Sequence, residues 1–221
     1  MELAYKQKMI DYYEDLLGRF GDDIRSLDWK DEEGMRLRYA VLFSIISLFE
    51  KTQNISILDV GSGLGHLYGF LKDQGFIKKY RIDYTGYDIS RKLVEASKRK
   101  YPEAKFELAD ILDQWKIDRF DYVFCCGIFN LILAERDRHD RFVRDMILRM
   151  YEVARLGVAI SFLSISGIYY VAGKEEKELS RYYYFKPEDL VEYIRSITGK
   201  FIVRQDYHPG DFTVYMLKGE R

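Results

Sequence analysis

The chain has 221 residues, 48% of them hydrophobic and 32% charged, which is enough to bury a substantial core. Its 35 lysines and arginines balance 36 aspartates and glutamates, which gives a net charge of −1. The chain therefore lacks the positive long-range electrostatic field that attracts nucleic acid, and no nucleic-acid partner is expected. No apolar run is long enough for a membrane span and the first 20 residues are charged throughout, so we expect a cytoplasmic protein with no membrane partner.

Residues 1–50 are predicted to form two helices that precede the main fold. Apolar residues recur at roughly helical spacing over residues 2–20, and Gly18 and Gly21 are expected to end this helix. Asp31 is the predicted N-cap of a second helix, whose apolar stripe comprises Leu37, Ala40, Val41, Ile45 and Leu48. We expect a helical cap over or beside a ligand cleft; packing alone is the alternative.

The next segment predicts a strand, a glycine-rich turn and a helix in succession. Ile55–Val60 is a short apolar run typical of a buried parallel strand, and it carries Asp59 near its end. Gly61, Gly63 and Gly65 follow, before apolar residues at helical spacing. Glycine lets a ligand approach the backbone closely, and the helix directs its free N–H groups at that ligand. The segment therefore predicts the start of a nucleotide-binding βαβ unit.

The spacing of the glycines separates two classes of nucleotide-binding protein. A dinucleotide fingerprint, Gly-x-Gly-x-x-Gly, requires glycine where this chain has His66. The pattern Asp59-x-Gly61-x-Gly63-x-Gly65 instead resembles motif I of the class I S-adenosylmethionine-dependent methyltransferases. An NAD(P)-dependent oxidoreductase is kept as a rival interpretation.

Acidic residues close the next two predicted strands. Arg81–Tyr87 alternates into a second strand ending at Asp88, where a carboxylate accepts hydrogen bonds from ribose hydroxyls. Lys105–Ala109 predicts a third strand, followed by Asp110 and Ile111. At this position Asp110 can accept a hydrogen bond from an adenine amino group, while the apolar Ile111 covers the adenine ring. These residues indicate an adenosine ligand and fit S-adenosylmethionine and NAD equally.

The fourth strand is predicted over Phe120–Cys126 and runs into Gly127. Ligands of doubly wound sheets lie beyond the carboxyl ends of the strands where the strand order reverses, so Cys126 and Gly127 are expected to line the cleft. The adjacent Cys125 and Cys126 would point to opposite faces of the sheet, which argues against a mutual disulfide and fits a reducing compartment.

The second half of the chain is predicted to complete the sheet. A long helix is predicted over residues 135–154, a fifth strand over Val158–Ile165, and a last helix from Pro187. Phe201–Asp206 and Phe212–Leu217 predict two strands, and the short Pro-Gly connection between them favours an antiparallel hairpin.

Together these features resemble a class I methyltransferase over residues 51–221, with residues 1–50 as the helical cap. The resemblance implies an α/β fold with a doubly wound, seven-stranded Rossmann-like sheet, its last strand antiparallel between the fifth and sixth. It also implies S-adenosylmethionine as methyl donor, S-adenosylhomocysteine as product, and a small-molecule acceptor methylated by in-line displacement. The chain looks similar to uncharacterised small methyltransferases of bacteria and archaea.

Carried over by this resemblance, Asp59 would orient the donor's amino group, Asp88 would bind its ribose and Asp110 its adenine. Ile89 and Ile111 would lie on either side of the adenine ring. The residues expected to bind the donor are Asp59, Gly61, Ser62, Gly63, Gly65, Asp88, Ile89, Asp110, Ile111, Cys126 and Gly127.

The acceptor side is predicted less completely. His208 and Asp206 are the candidate catalytic residues if the acceptor must lose a proton, with the late tyrosines as further candidates. A turn histidine without a catalytic role is the alternative for His208. His139 lies among charges and is expected to be exposed. Tyrosines in residues 166–185 indicate packing under a loop, or a lid over an aromatic or apolar acceptor. The candidate substrate-binding residues are Arg38, Phe129, Asn130, Tyr170 and Tyr184.

The absence of several motifs limits the types of methyl transfer that the sequence predicts. No Asn/Asp-Pro-Pro-Tyr/Phe follows the fourth strand, which argues against methylation of base or glutamine amino groups. No His/Cys/Asp group has metal-ligand spacing, so no metal site is predicted and the enzyme is expected to be metal-independent. A non-catalytic methyltransferase-like binding subunit and aminopropyl transfer stay open as alternatives, and the methylated atom and oligomeric state stay undetermined.

Overall fold

A computed structural model describes residues 3–49, 53–113, 118–133, 135–170 and 181–219. Its strands are β1 (Ser56–Val60), β2 (Asp83–Asp88), β3 (Lys105–Leu108), β4 (Phe120–Cys126), β5 (Ala154–Leu163), β6 (Phe201–Arg204) and β7 (Asp211–Leu217). They form one sheet in the order β3-β2-β1-β4-β5-β7-β6. Strands β1 to β5 are parallel, and β7 is antiparallel to both β5 and β6. The predicted doubly wound sheet and closing hairpin are confirmed.

The helices pack on both faces of this sheet. They are α1 (Leu3–Phe20), α2 (Glu32–Phe43), α3 (His66–Asp73), α4 (Phe76–Tyr80), α5 (Arg91–Lys100), α6 (Arg136–Val153), α7 (Gly167–Tyr170) and α8 (Pro187–Ile197). Asp31 caps α2 as predicted, since its carboxylate accepts the Gly34 N–H at 2.6 Å. No helix in the described ranges is long and apolar enough to cross a membrane.

The apolar stripe predicted for the second helix is wrong in part. Val41 and Ile45 are buried, but Leu37 and Leu48 are 36% and 45% exposed, and Ala40 is exposed. The α-helix changes to a 3₁₀ helix over Ser44–Leu48, so the spacing of 3.6 residues per turn does not extend to Leu48. Leu37 and Ala40 lie within α2 but away from its buried face. The buried face instead carries Met35, Tyr39, Val41, Leu42 and Phe43.

Two hydrophobic cores cover the two faces of the sheet. Alternate residues of the central strands enter opposite cores, as Leu58 and Val123 do on one face and Ile57 and Tyr122 on the other. Helix α1 contributes to the first core, and α2 contributes to the second. The predicted cap therefore packs against both faces, and the domain boundary after residue 50 stays a prediction.

Candidate functional site

A cavity of about 570 Å³ lies at the carboxyl ends of β1 to β4, where the strand order reverses. This volume is typical of small-molecule sites. We call one side the donor half, after its predicted role; it comprises Asp59, Gly61, Ser62, Gly63, Asp88, Ile89, Asp110 and Ile111. We call a second part of the lining the acceptor half, also after its predicted role; it comprises Trp29, Leu37, Arg38, Tyr39, Asn130, Tyr182, Tyr184, His208 and Asp211.

The glycine turn after β1 lets the backbone border the cavity. Gly61 and Gly63 have φ of +75° and +52°, in the left-handed region that favours glycine. A Cβ at Gly61 would lie 2.2 Å from Cγ2 of Ile128. Gly65 is different: it does not line the cavity, and a Cβ there would meet Phe106 at 2.7 Å. The structure therefore brings Gly61 and Gly63 to the site, while Gly65 makes room for packing below it.

Asp59 is a buried carboxyl group at the end of β1. It is 4% exposed, and the Tyr84 hydroxyl donates a hydrogen bond to its Oδ2 at 2.6 Å. Burial raises the pKa of Asp59 to about 7; the hydrogen bond from Tyr84 opposes this shift, while the nearby charge of Asp88 adds to it. Among the described residues, no cation lies within ion-pair distance of Asp59. The group is therefore poised to ionise when a cationic partner arrives.

Asp88 is held by backbone N–H groups from both sides of the turn. Its Oδ2 accepts from Gly63 N–H at 2.9 Å and its Oδ1 from Ser90 N–H at 2.8 Å. Burial raises the pKa of Asp88, and these hydrogen bonds partly offset the shift. Each carboxylate oxygen accepts more than one hydrogen bond, so Asp88 retains acceptor capacity for ligand hydroxyls.

Asp110 has a partner that sequence reasoning missed. Lys6 of α1 places its Nζ 2.5 Å from Asp110 Oδ2, and the two side chains are 11% and 12% exposed. The Leu112 N–H donates to Oδ1 at 2.8 Å. Lys6 and Asp110 are far apart in the chain, and α1 has the composition of an ordinary charged helix, so no local pattern indicated the pair.

Helix α1 borders the donor half directly. Met9, Ile10 and Tyr13 line the cavity next to Ile89 and Ile111, the two residues predicted to lie on either side of an adenine ring. The first predicted helix thus lies beside the cleft as well as in the core. Its contribution to the cavity wall supports a functional cap.

The acceptor half contains a buried carboxylate between an arginine and a histidine. Asp211, at the start of β7, has a side chain that is 2% exposed. Arg38 Nη2 lies 2.5 Å and His208 Nδ1 lies 2.6 Å from the same oxygen, Oδ2. Neither contact is aligned as a regular hydrogen bond; Arg38 forms an ion pair with Asp211, and His208 does so only when its ring is protonated. Asp211 follows the predicted His-Pro-Gly connection directly, which is the only local pattern that pointed to it.

Asp206, the other predicted catalytic residue, is not brought to the cavity. Its carboxylate accepts two hydrogen bonds from Arg204, at 2.7 and 2.9 Å, and its side chain is 65% exposed. It follows the edge strand β6 on the solvent side of the hairpin. The structure places His208 at the cavity with Asp211 beside it, and Asp206 lies away from the cavity.

The predicted substrate residues separate into three groups. Arg38, Asn130 and Tyr184 line the cavity. Phe129 does not, because its side chain is fully buried and stacks on Phe162 with ring centroids 5.6 Å apart. Tyr170 ends α7, and its side chain lies outside the described residues, as do residues 171–180 of the tyrosine-rich segment.

The end of β4 lines the cavity as expected. Cys126 and Gly127 both border it, and the Cys126 thiol lies 3.1 Å from the Ser161 hydroxyl. Burial raises the pKa of Cys126 to about 12, so the thiol stays protonated at neutral pH. Among the described residues, no cluster of three or more His, Cys, Asp or Glu side chains is arranged to hold a metal ion.

Comparison with known proteins gives the family. Residues 57–150 match the family described as "Methyltransferase domain". The "Putative methyltransferase Rv1506c" of Mycobacterium tuberculosis (strain ATCC 25618 / H37Rv) is 31% identical over 166 residues, 74% of this chain and 93% of that protein. The chain belongs to the S-adenosylmethionine-dependent methyltransferases. Its donor is S-adenosylmethionine, and the oxidoreductase and non-catalytic interpretations are not favoured.

Solved structures share the fold. Magnesium protoporphyrin IX methyltransferase from Synechocystis PCC 6803, solved with bound S-adenosylmethionine, has a TM-score of 0.66 and 16% identity, covering 99% of each chain. The plantazolicin methyltransferase BpumL, solved with a triazolic desmethylplantazolicin analogue and S-adenosylhomocysteine, has a TM-score of 0.71 and 15% identity, covering 99% of this chain and 97% of that one. At such identities the likeness shows the class I fold.

Proposed function

We propose that the protein methylates a small organic acceptor held in the acceptor half, without a metal ion. The observation that carries this proposal is one continuous cavity of about 570 Å³ that joins the donor half to an aromatic and apolar wall. A shared cavity places two small molecules side by side, and positioning alone supplies roughly 7–11 kcal/mol toward a bimolecular reaction.

The residues of the donor half fit a cationic donor. Asp59 and Asp88 are nearly buried and have no cationic partner among the described residues, and the buried Ser62 hydroxyl has no hydrogen-bond partner there. S-adenosylmethionine supplies a methyl group on positively charged sulfur and carries an ammonium group as well. Asp59 would hold the ammonium group, Asp88 the ribose hydroxyls, and Ile89 and Ile111 the adenine ring.

The acceptor half suits a compact, partly aromatic molecule. Trp29, Leu37, Tyr39 and Tyr184 give it aromatic and apolar surface, with His208 as a polar group. The structural neighbours named above act on, or were solved with, organic molecules, which supports the same class here. The near-zero net charge supports a partner other than nucleic acid.

Two further assignments belong to this proposal. We expect the reaction to be metal-independent, because no His/Cys/Asp group of the sequence has metal-ligand spacing. The two cysteines, Cys125 and Cys126, are free thiols, which suits a reducing compartment and supports the cytoplasm as the location.

The experiment uses S-adenosylmethionine with a tritiated methyl group and two fractions of a cell extract, separated by size. We expect label to enter the small-molecule fraction and the rate to be unchanged by EDTA. Label that appears in protein or RNA would contradict the small-molecule acceptor. Loss of transfer in EDTA that Mg²⁺ restores would contradict the metal-independent reaction.

A further inference from the structure

Two polar side chains lie at one corner of the acceptor half, where β4, β5 and β7 are neighbours in the sheet. Asn130 follows β4, and its Oδ1 accepts the backbone N–H of Leu163, at the end of β5, at 3.3 Å. Leu163 is the register partner of Asp211 at the start of β7, and His208 lies against Asp211. Asn130 and His208 both border the cavity. The order of the strands therefore brings them to the same corner.

The Leu163 N–H decides the orientation of the Asn130 amide. A backbone N–H only donates, so the side-chain atom that faces it is the oxygen, and the amide nitrogen lies on the other side. That nitrogen lies near Gly127, since a Cβ at Gly127 would stand 3.9 Å from Nδ2. Gly127 directly follows β4 and borders the cavity as well. Nδ2 has no hydrogen-bond partner among the described residues, so Asn130 offers two N–H donors to a ligand.

His208 offers a further N–H donor. The Gly210 N–H donates to His208 Nδ1 at 3.1 Å, so in the neutral ring the proton lies on Nε2. The contact between Nδ1 and Asp211 Oδ2 becomes an ion pair only when the ring is protonated, and both ring nitrogens then carry protons. Nε2 therefore carries a proton in either state, and it has no partner among the described residues.

The other polar side chains of this corner hold their protons or are already paired. Burial raises the pKa of Cys126 to about 12 and raises the pKa of Tyr184 as well, so both stay protonated at neutral pH. The Asp211 side chain is 2% exposed, and its Oδ2 already contacts Arg38 Nη2 and His208 Nδ1. The corner therefore presents hydrogen-bond donors to the cavity, and a methyl acceptor that binds there needs lone pairs.

A negatively charged oxygen fits such a corner. Preorganised N–H donors stabilise an oxyanion most strongly where little water reaches it. Arg38 and Asp211 balance each other's charge, so the corner itself is close to neutral. The positively charged sulfur of a bound methyl donor would then supply the charge that balances the oxyanion.

We propose that the methyl acceptor is an acid with two conjugated oxygens, either a carboxylic acid or the enol of a 1,3-dicarbonyl compound, and that Asn130 and His208 bind its oxyanion through their N–H groups. This inference deepens the function proposed above and rests on it. The acid gives its proton to water as it binds. One of its oxygens then forms the bond to the methyl carbon, and the electron pair of the broken carbon–sulfur bond stays on sulfur. No side chain has to remove a proton.

A flat acid also suits the rest of the acceptor half. Trp29, Tyr39 and Tyr184 give it aromatic surface, and aromatic side chains pack well against planar conjugated molecules. Conjugation keeps both oxygens in one plane, so that two separate donors can each take one. An amine suits the corner less well, because the Asn130 oxygen that its N–H would need already accepts the Leu163 N–H.

The first test determines the chemistry of the labelled product. The small-molecule fraction labelled from tritiated S-adenosylmethionine is treated with mild alkali and, separately, with mild acid, and volatile methanol is counted. A methyl ester releases tritiated methanol in alkali, whereas the enol ether of a 1,3-dicarbonyl compound releases it in acid. We expect release under one of these conditions, which also identifies the class of acid. Label that stays in the product under both conditions would overturn the inference.

The second test changes the Asn130 amide. Asn130→Asp keeps an oxygen for the Leu163 N–H and replaces the amide nitrogen by an oxygen that repels an oxyanion. We expect the amount of small-molecule fraction that gives half-maximal rate to rise roughly 10- to 100-fold, because a hydrogen bond to a charged group is lost. The maximal rate should change little, since this bond is made before the methyl group moves. Asn54→Asp, the same substitution at an exposed position, should change neither value.

Calorimetric binding of S-adenosylhomocysteine separates binding from structure. It should be the same in Asn130→Asp and in the parent, because Asn130 belongs to the acceptor half. An equal fall in donor binding and in maximal rate would mean that Asn130 only supports the fold, and would overturn its role in acceptor binding.

The third test compares two substitutions of His208. Glutamine carries an amide N–H that can replace the Nε2–H donor, whereas leucine is of similar size and has no donor. We expect His208→Gln to keep most of the affinity for the acceptor and His208→Leu to lose roughly 10-fold. Equal losses in the two variants would show that the acceptor does not use this N–H.

The proposed function and this inference fail in different ways. Label in the small-molecule fraction that resists both alkali and acid would overturn the acidic acceptor and leave a small-molecule methyltransferase. Absence of label from the small-molecule fraction, with donor binding intact, would instead overturn the proposed function.

Discussion

Asp59 and Asp88 in the donor half and Asp211 in the acceptor half are all nearly buried, with exposed fractions of 4%, 8% and 1%. Asp211 lies against Arg38 and His208, whereas no cation among the described residues pairs with Asp59 or Asp88. Burial raises the pKa of all three carboxyl groups. The protein therefore supplies a cation to Asp211 in the acceptor half and supplies none to Asp59 and Asp88 in the donor half.

The difference indicates where each half obtains its positive charge. A buried carboxylate without a cation destabilises the folded chain, and such groups concentrate at functional sites where a ligand supplies the missing charge. A cationic methyl donor would supply it in the donor half. The acceptor half is already balanced, so a neutral acceptor can bind there and lose a proton.

Replacing Asp59 should have the largest effect of the four changes, and the quantity affected is the free energy of unfolding without ligand. The folded-state pKa of about 7 stands above the reference value of 3.8, so the parent loses stability as pH rises from about 4 to 7. Asp59→Asn cannot ionise and should be more stable at pH 8 by up to about 4 kcal/mol, with a smaller gain at pH 5. Urea unfolding at both pH values measures this. The matched variant Asp83→Asn, at the exposed start of β2, should gain no stability. If Asp59→Asn gained none either, the contrast between the carboxylates of the two halves would be wrong.

Replacing Asp88 should weaken donor binding. Asp88→Ala removes a charged acceptor that is expected to receive the ribose hydroxyls, at a cost of about 1–3 kcal/mol. Calorimetric titration with S-adenosylmethionine measures the loss, and Asp83→Ala serves as control. Binding as tight as that of the parent would remove Asp88 from the donor site.

Lys6 should behave like a member of a balanced pair, although its partner Asp110 belongs to the donor half. Lys6→Met removes the cation from two carboxylates, the nearly buried Asp110 and the exposed Asp113, so a stability loss of about 1–2 kcal/mol is expected, mostly through Asp110. The double variant Lys6→Met/Asp110→Asn should recover most of it. Lys8→Met, an exposed lysine of the same helix, is the control. No recovery in the double variant would mean that Lys6 acts through Asp113 or through packing.

Tyr84 should have the smallest effect. Tyr84→Phe removes the hydrogen bond that lowers the pKa of Asp59, so stability should change by no more than about 1 kcal/mol. The pH dependence of donor binding should shift to higher pH, because Asp59 ionises less readily. An unchanged pH dependence would mean that Asp59 does not titrate on binding.

Local sequence predicted which residues of the donor half line the cavity, and their roles in binding the donor stay predictions. A strand end, a glycine turn and a helix start are contiguous in the chain, so Asp59, Gly61 and Gly63 reach the cavity whenever that unit folds. Asp88 and Asp110 follow from the same rule for the next two strands. Gly65 does not line the cavity, because the end of the turn packs against Phe106 in the protein interior.

The rest depends on contacts between distant segments. Lys6 meets Asp110 and Arg38 meets Asp211, and no local spacing connects the members of either pair. His139, expected to be exposed, is wholly buried, because Tyr5 of α1 covers it and its hydroxyl lies 3.0 Å from Nδ1. Such pairings are set by tertiary packing, which a single sequence considered alone does not reveal.

The most direct measurement is calorimetric titration of the parent and Asp59→Asn with S-adenosylmethionine, S-adenosylhomocysteine and NAD⁺, in buffers of different ionisation enthalpy at pH 6. We predict that the parent binds the first two ligands with micromolar affinity and does not bind NAD⁺. We also predict that binding releases a proton from the parent, because Asp59 gives up its proton when it pairs with the ligand's ammonium group. Asp59→Asn should bind more weakly and release none. Binding to the parent without proton release, or no binding at all, would contradict an unbalanced donor half built to receive a cation.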